Sequence, residues 1–560
     1  MNNCHLLLLL IGALLLPINN VLALPHPMQA RQAPATGDVA GGTWQIVGNT
    51  GVNAMHIFVS APNKIILIDK LENNLIKQAS GQPAVSTEWN LDTNEIRILD
   101  VTSDTFCSAG SWLGNGTMLH TGGDNGNNFL AAGQQTLRFY DPAVGNWVEM
   151  VGLMGSKRWY PTMLSLANGK ALILGGSIGG TGLNRAEINN PTYTIWPPTD
   201  GVTPDPEVQF QFLIDTLPYN LYVMLHLVPN SENKNLIFVL ANQQSILYDL
   251  DTATIVKNYP TIAVQRTYPQ TGTSLILPLY PETNYLTEVM VCGGQKEFEI
   301  LSVAEASCGR MDLNAAEPVW TMDDFGGLPR VMPDSVILVN GEILFLNGAG
   351  TGYAGFRKGK KTNPLWANDN PTFNPVLYNP TTKIYAKMNP SSIARMYHSV
   401  ATLTPDGSVF VAGSNPQGNV ETEVLYPTEY RAEIYSPPYL LTGASRPTIV
   451  TIDGYIVNQG RIPITYGNTA SIVVQLPKTE VISFTAAIIH HGFVTHSTHM
   501  GQRYVGLVVK EAYSDATTAD QYILTIELPP NPTIIAPGPS YIYVLNNNFP
   551  CVKGVEVLLN

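Results

Sequence analysis

The chain has 560 residues, 44% of them hydrophobic and only 13% charged, with 48 glycines, 41 prolines and five cysteines. Thirty basic against forty-three acidic residues leave a net charge of −13, which argues against a nucleic-acid binder, since phosphates are met by Lys and Arg. Ample apolar material and sparse charge exclude a disordered chain, and the Gly, Pro and β-branched usage speaks for short strands joined by turns rather than coiled coils.

From the N-terminus, Leu6 to Leu16 is an apolar run broken only by Gly12 and followed by Pro17 and the polar pair Asn19-Asn20. Such a run is too short to span a bilayer and suits the core of a signal peptide cut near Ala23, so residues 1–23 read as a leader. No later run approaches the ~20 apolar residues that a membrane helix needs. The chain therefore reads as secreted and extracellular, with no membrane association once the leader is cut. Residues 24–40, rich in Pro, Ala, Gln and Gly, read as a flexible lead-in. Cys4 would leave with the leader. Cys292 and Cys308 are close enough in sequence to bridge one strand–loop excursion, which makes them the disulfide candidate. Cys107 and Cys551 are either a second bridge or two separately employed thiols.

The middle of the chain repeats itself. Asn115-Gly-Thr-Met-Leu-His-Thr-Gly-Gly123 returns as Asn168-Gly to Gly176, Asn340-Gly to Gly348 and Asp406-Gly to Gly413. Weaker echoes begin at Asn63, Asn235 and Leu286. Each clear case is an Asn-Gly or Asp-Gly pair feeding a short apolar strand, the strongest short-range hairpin signal. About seven units of roughly fifty residues with no long helix predict an all-β fold, a seven-bladed kelch-like β-propeller over residues 41–440. An array of β-sandwiches is the competing architecture. The break at Tyr435-Ser-Pro-Pro-Tyr439 ends the repeats. The strand-like segments that follow, such as Ser471–Leu476 and Tyr541–Leu545, predict an immunoglobulin-like β-sandwich over 441–560.

What precedes each turn shares a phase. Cys107, Tyr160 and Met332 each lie eight residues before their turn, and Tyr397 nine before Asp406. Arg158-Trp-Tyr160, Arg330-Val-Met332 and Arg395-Met-Tyr397 follow one pattern, with Arg266-Thr-Tyr268 a fourth. Equivalent repeat positions cluster at one end of a propeller channel, so a thiol, several phenols and the adjacent His398 are expected in one site. Adjacent Tyr and His donors suit a borderline metal such as Cu(II), and the CxxC or HExxH spacing of zinc sites is missing. A further imidazole is sought among His490, His491, His496 and His499. His490-His491 ends an apolar run, whereas His496 and His499 fall in a turn-like stretch better suited to a ligand loop. Taken singly, each tyrosine is more readily a packing residue, and a lone buried Cys an inert small hydrophobe.

Five segments carry a family resemblance: Asp104-Thr-Phe-Cys107, Arg158-Trp-Tyr160-Pro-Thr, Arg395-Met-Tyr397-His398-Ser, Ala412-Gly-Ser-Asn-Pro416 and Thr495-His496-Ser-Thr-His-Met-Gly-Gln-Arg503. They resemble the copper radical oxidases, and among them glyoxal oxidase rather than galactose oxidase. Position by position, the resemblance implies one copper per chain held by Tyr160, Tyr397, His398 and His496. It implies a thioether joining Cys107 to Tyr160 as a protein-derived radical cofactor, and Tyr397 as axial ligand and base. His496 would then come from a loop of the C-terminal domain, making the two domains inseparable for activity. Ile178 stands where galactose oxidase has a tryptophan over its modified tyrosine. The implied reaction is oxidation of small aldehydes of the glyoxal or methylglyoxal type, as hydrates, to carboxylic acids with O2 reduced to H2O2. The expected partners are thus a small aldehyde or alcohol and O2, with the protein a monomer. The competing functions are an alcohol-preferring oxidase, a carbohydrate- or protein-binding propeller without redox activity, and, last, a glycosidase, for which no acidic residue recurs at the site's phase.

Overall fold

The computed structural model describes residues 39–180, 182–201, 204–360, 363–457, 459–477 and 482–560. The expected leader, with Cys4, and residues 24–38 of the expected lead-in lie outside them. No described helix is long and apolar enough to cross a membrane. The described chain is all-β: one short 3-10 turn, Pro281–Thr283, and a single helical turn, Phe212–Asp215, interrupt strands between Thr43 and Tyr435.

Antiparallel sheets follow one another along the chain, and each is a simple meander. The strands Ala109–Trp112, Met118–Thr121, Leu137–Asp141 and Asn146–Met150 pair in order, and the same four-strand plan begins again at Thr162, Met224 and Gly272. In the sheet that begins at Asp334, an excursion carrying two small ribbons separates the second strand from the third. In the sheet that begins at Ser399, the fourth strand is Thr43–Asn49 from the start of the described chain, paired to Arg431–Ser436. The sheet that begins at His56 has six strands, because the hairpin Phe493–Thr495 and Thr498–Met500 adds to its first strand. Each repeat segment forms the second strand of its sheet, such as Ala171–Leu174 and Val409–Gly413. Its glycine takes a positive φ in the turn (89° at Gly116, 87° at Gly407), where a side chain would be strained.

First strands of successive sheets are neighbours: Ala109–Trp112 lies beside Thr162–Ser165, and the series continues through Met224, Gly272, Asp334 and Ser399 to His56–Ala61. These inner strands are buried, apart from Ala61 at the end of His56–Ala61, while outer strands such as Thr254–Asn258 are largely exposed. The apolar cores therefore lie between sheets rather than within one.

After Tyr435 the chain builds two further sheets. One orders Tyr455–Ile456, Thr448–Ile452, Thr469–Gln475, Gln521–Glu527 and Val509–Ser514. The other orders Ile462–Ile464, Val555–Leu559, Gly538–Asn546, Phe484–His490 and Arg503–Leu507. Between the last two strands the chain leaves to form the Phe493–Met500 hairpin. It contacts the inner strands that start at Ala109, Thr162, Gly272, Asp334 and Ser399.

Candidate metal centre

The Arg-x-Tyr pattern has a mechanical origin. Arg158 donates to the carbonyls of Gly175 and Thr192, both at 2.9 Å, which end the second strand and begin the third of its own sheet. Arg395 does the same to Gly413 and Arg431, each at 2.8 Å, and Arg330 to Asn347 and Asn374 at 3.0 and 2.7 Å. Arg266 reaches Gly293 and Ser307. Each guanidinium ties the top of its sheet together, and the residue two or three places on enters the inner strand. There the backbone turns left-handed, with φ of 54° at Cys107, 60° at Tyr160, 46° at Tyr222, 60° at Met332 and 65° at His398. A non-glycine residue in this region costs of order 1 kcal/mol or more and persists only where the surroundings fix it. They do here: Tyr160 N donates to Cys107 O at 2.9 Å, and Tyr222 N to Tyr160 O at 3.2 Å, so successive sheets are laced together. His398, eight residues before Asp406, holds the position equivalent to Cys107 and Tyr160; Tyr397 is its immediate neighbour, stacked on it at 3.8 Å.

His496 arrives on the hairpin. Its turn, Thr495-His496-Ser497-Thr498, holds His496 and Ser497 at φ 45° and 66°, the mirror-image geometry that suits two-residue hairpins. Gly110 makes room for this hairpin, since a Cβ there would lie 2.4 Å from the Phe493 ring.

The structure thus brings together Cys107, Tyr160, Tyr397, His398 and His496, all buried. One ligand atom from each of Cys107, His398 and His496 falls within 4.8 Å of the others. Cys107 Sγ lies 3.3 Å from His496 Nε2, whose other nitrogen, Nδ1, is held by Thr495 Oγ1 at 2.7 Å. The ring of His496 stands 6.1 Å from Tyr160, 5.5 Å from Tyr397 and 4.9 Å from His398. Both ring nitrogens of His398 lack any hydrogen-bond partner. A buried imidazole with two unspent nitrogens, facing a second imidazole, a thiol and phenols, is a donor set without an acceptor, and it fits a borderline cation such as Cu(II).

Electrostatics agree. Burial, reinforced by His496, holds His398 well below the usual imidazole range, and burial takes His496 down to about 3. Both are neutral and keep a lone pair for a metal. Burial first, then neighbouring thiol and phenol groups, pushes Tyr160 and Tyr397 well above the usual phenol range. Burial also raises the Cys107 thiol, partly opposed by its hydrogen bond to Tyr160. These phenols ionise only with a cation beside them.

Other side chains complete the surroundings. Tyr268 lies over Tyr160 with ring centres 4.8 Å apart, and its hydroxyl is 3.2 Å from that of Tyr397. Trp159 stacks on Tyr160 from 5.2 Å. Ile178 is 42% exposed, whereas Trp159, Tyr268 and, edge-on at 5.5 Å, Tyr222 supply the ring packing on Tyr160. Tyr222, which the repeat phase did not single out, stacks on His496 at 4.8 Å and donates to Ser108 O. The half-buried Phe106 and Phe356 set their edges against His398. Lys70 sits over both rings while its ammonium pairs with Glu72 at 2.9 Å.

The remaining sequence candidates lie apart. His499 spends its two nitrogens on the carbonyls of Ser335 and His491. His490 ends a strand, and His491 stacks on Tyr541 at 4.5 Å. Cys292 and Cys308 stand opposite one another on adjacent strands and are disulfide-bonded. Cys551 is a buried free thiol that donates to Lys553 O at 3.3 Å.

A family model described as Glyoxal oxidase N-terminus matches residues 55–439, and one described as Galactose oxidase-like, Early set domain matches 446–557. The chain is 31% identical to Aldehyde oxidase GLOX of Vitis pseudoreticulata, over 91% of this chain and 96% of that protein. It is 30% identical to Aldehyde oxidase GLOX1 of Arabidopsis thaliana, over 91% and 83%. A solved structure of a novel fungal alcohol oxidase with catalytic diversity among the AA5 family, in complex with copper, shares the fold with a TM-score of 0.69. That match has 18% identity and covers 93% of this chain and 100% of that one.

Proposed function

The chain belongs to the glyoxal oxidase family, and from that premise we propose that it is a secreted copper radical oxidase that converts small aldehydes to carboxylic acids. The net reaction is RCH(OH)2 + O2 → RCOOH + H2O2, the aldehyde entering as its hydrate. The observation that carries this reading is the unspent pair of nitrogens on buried His398, facing His496, Cys107 and the two phenols.

His398 and His496 would hold copper through imidazole nitrogens, with Tyr160 and Tyr397 as its phenol oxygen ligands. When bound, the metal supplies one oxidising equivalent and a Lewis-acidic position for the substrate oxygen. Tyr397 takes the substrate O–H proton at its Oη, a general-base role. The second equivalent resides on Tyr160, whose ring is made easier to oxidise by a thioether to Cys107, and Tyr160 accepts the substrate's C–H hydrogen. Phe106 and Phe356, edge-on to His398, give that side of the site an apolar face suited to a small uncharged carbonyl compound.

We further read the sheets between residues 41 and 440 as the blades of a seven-bladed kelch-like propeller, and 441–560 as an immunoglobulin-like domain that lends His496. The neighbouring inner strands and the two family matches, which meet between 439 and 446, support this division. Export through the 1–23 leader accords with a Cys292–Cys308 disulfide, a bond of oxidising compartments.

The test joins a peroxide assay across small aldehydes, primary alcohols and galactose with intact mass and metal content. Expected are H2O2 production on aldehydes, about one copper per chain, and a mass two hydrogens below that of the chain carrying only the Cys292–Cys308 disulfide. Cys107→Ala and Tyr160→Phe should abolish turnover while sparing the fold, and His398→Ala or His496→Ala should lower copper content. Full activity in Cys107→Ala, or a metal-free chain whose mass shows the disulfide alone, would overturn the assignment.

A further inference from the structure

The hairpin that carries His496 has a charged base. His490 and Arg503 stand opposite each other in the register of their strands, where the hairpin leaves the C-terminal sheet, and both side chains are buried. Arg503 donates to Leu227 O through Nη2, but its Nη1 has no partner, and neither has Nε2 of His490. A cavity of about 20 Å3 lies against them, lined also by Ser165, His226, Gly501 and Gln502.

The other buried arginines are compensated, Arg310 by Glu288 and Asp323, and Arg266 by the charge of nearby Glu305 and the carbonyls of Gly293 and Ser307. Arg138, Arg158 and Arg395 lie against Glu149, Glu207 and Glu433. Among the described residues Arg330 meets no acid, but it places its cation over the Phe325 ring at 5.4 Å and spends both terminal nitrogens on carbonyls. Arg503 has neither device, and burial alone lowers it to about 10. Its charge adds to burial in pressing His490 down to about 4 and His226 to about 3. The cavity is thus ringed by one positive group and two imidazoles, with no acid among the residues that line it. An uncompensated buried charge costs several kcal/mol, so a counter-charge in the cavity would offset a large penalty. The volume is close to that of one water-sized particle, which favours a monatomic anion over phosphate or a carboxylic acid.

We propose that this cavity is a binding site for a single halide ion, held by Arg503 Nη1 and His490 Nε2–H. The ion bridges the C-terminal sheet to the inner strands Thr162–Ser165 and Met224–Leu227, and so fixes the base of the hairpin whose tip is His496.

The experiment follows the thermal midpoint of the copper-loaded full chain while chloride or bromide replaces gluconate at constant ionic strength. Ligand that binds only the folded state raises the midpoint, by about 2 °C or more at saturating halide. Arg503→Met and His490→Phe should each lose the halide dependence. Arg503→Met should also be no less stable than wild type in gluconate, since it removes an uncompensated charge. Crystals soaked in bromide should give an anomalous peak between residues 490 and 503. A wild-type midpoint indifferent to halide, a dependence that persists in either variant, or bromide-soaked crystals without that peak would each overturn the proposal.

Discussion

Tyr268 touches both halves of the proposed chemistry: its hydroxyl meets that of Tyr397 at 3.2 Å, and its ring covers Tyr160 at 4.8 Å. The two contacts can be separated. Tyr268→Phe keeps the ring and removes the hydrogen bond, a loss of about 1 kcal/mol in a typical case, so kcat should fall roughly 2–10-fold with copper content unchanged. Tyr268→Leu also removes the ring, and should additionally shift the reduction potential of the Tyr160 couple in a redox titration. Unchanged kcat and potential in both variants would reduce Tyr268 to packing. Its position was readable, because Arg266-Thr-Tyr268 repeats the phase of Arg158-Trp-Tyr160. Tyr222 was not, although it too precedes its inner strand by two residues: Asn220 stands where the arginine would be, and the turn at Asn235 lies farther on. Phe356 escaped for another reason. It belongs to the excursion between Ile343–Leu346 and Val376–Asn379, where the repeat imposes no period.

Among elements, the Phe493–Met500 hairpin decides whether the site exists, because it alone brings an imidazole from the far end of the chain. Its seat depends on Gly110, whose missing side chain leaves the space that the Phe493 ring fills. Gly110→Ala should therefore lift the hairpin and weaken copper binding, measured by competition with a chelator. Phe493→Ala, which empties a buried site and costs about 3–5 kcal/mol, should lower the thermal midpoint as well. Combining Gly110→Ala with the smaller Phe493→Leu should restore part of the copper affinity; a double variant no better than Gly110→Ala would mean that the steric account fails. Second strands were legible because an Asn-Gly turn and an alternating apolar run are local signals. The pairing of Phe493–Thr495 with His56–Ala61, and of Thr43–Asn49 with Arg431–Ser436, was not. Those partners lie hundreds of residues apart, and nothing in either segment alone specifies the other.

For the whole molecule, pH stability is set by buried groups of opposite sign rather than by the net charge of −13. Asp334 receives one hydrogen bond, from Asn347 at 2.7 Å, while its Oδ1 has none, and burial raises its carboxyl to about 8. With a folded value above the unfolded 3.8, its contribution is complete below pH 3.8 and is lost as pH rises through about 8. His491 is the reverse. Burial, then His490, lowers it to about 3 from 6.5, so its contribution is complete above pH 6.5 and is lost as pH falls toward 3. Between the two unfolded values the slopes oppose and partly cancel, which leaves a broad optimum with a fall on each side. Asp334→Asn keeps the contact with Asn347 but cannot ionise, so it should flatten the fall between pH 6.5 and 8 and, by lifting the cancellation, steepen the loss as pH drops from 6.5 toward 4. His491→Phe keeps the stack on Tyr541 and should do the reverse, extending the fall with rising pH from the 6.5–8 window down toward pH 4. The measurement is the thermal midpoint of copper-loaded protein from pH 4 to 9 at fixed halide. Curves for Asp334→Asn that run parallel to wild type above pH 6.5 would show that this carboxyl is not the group that titrates.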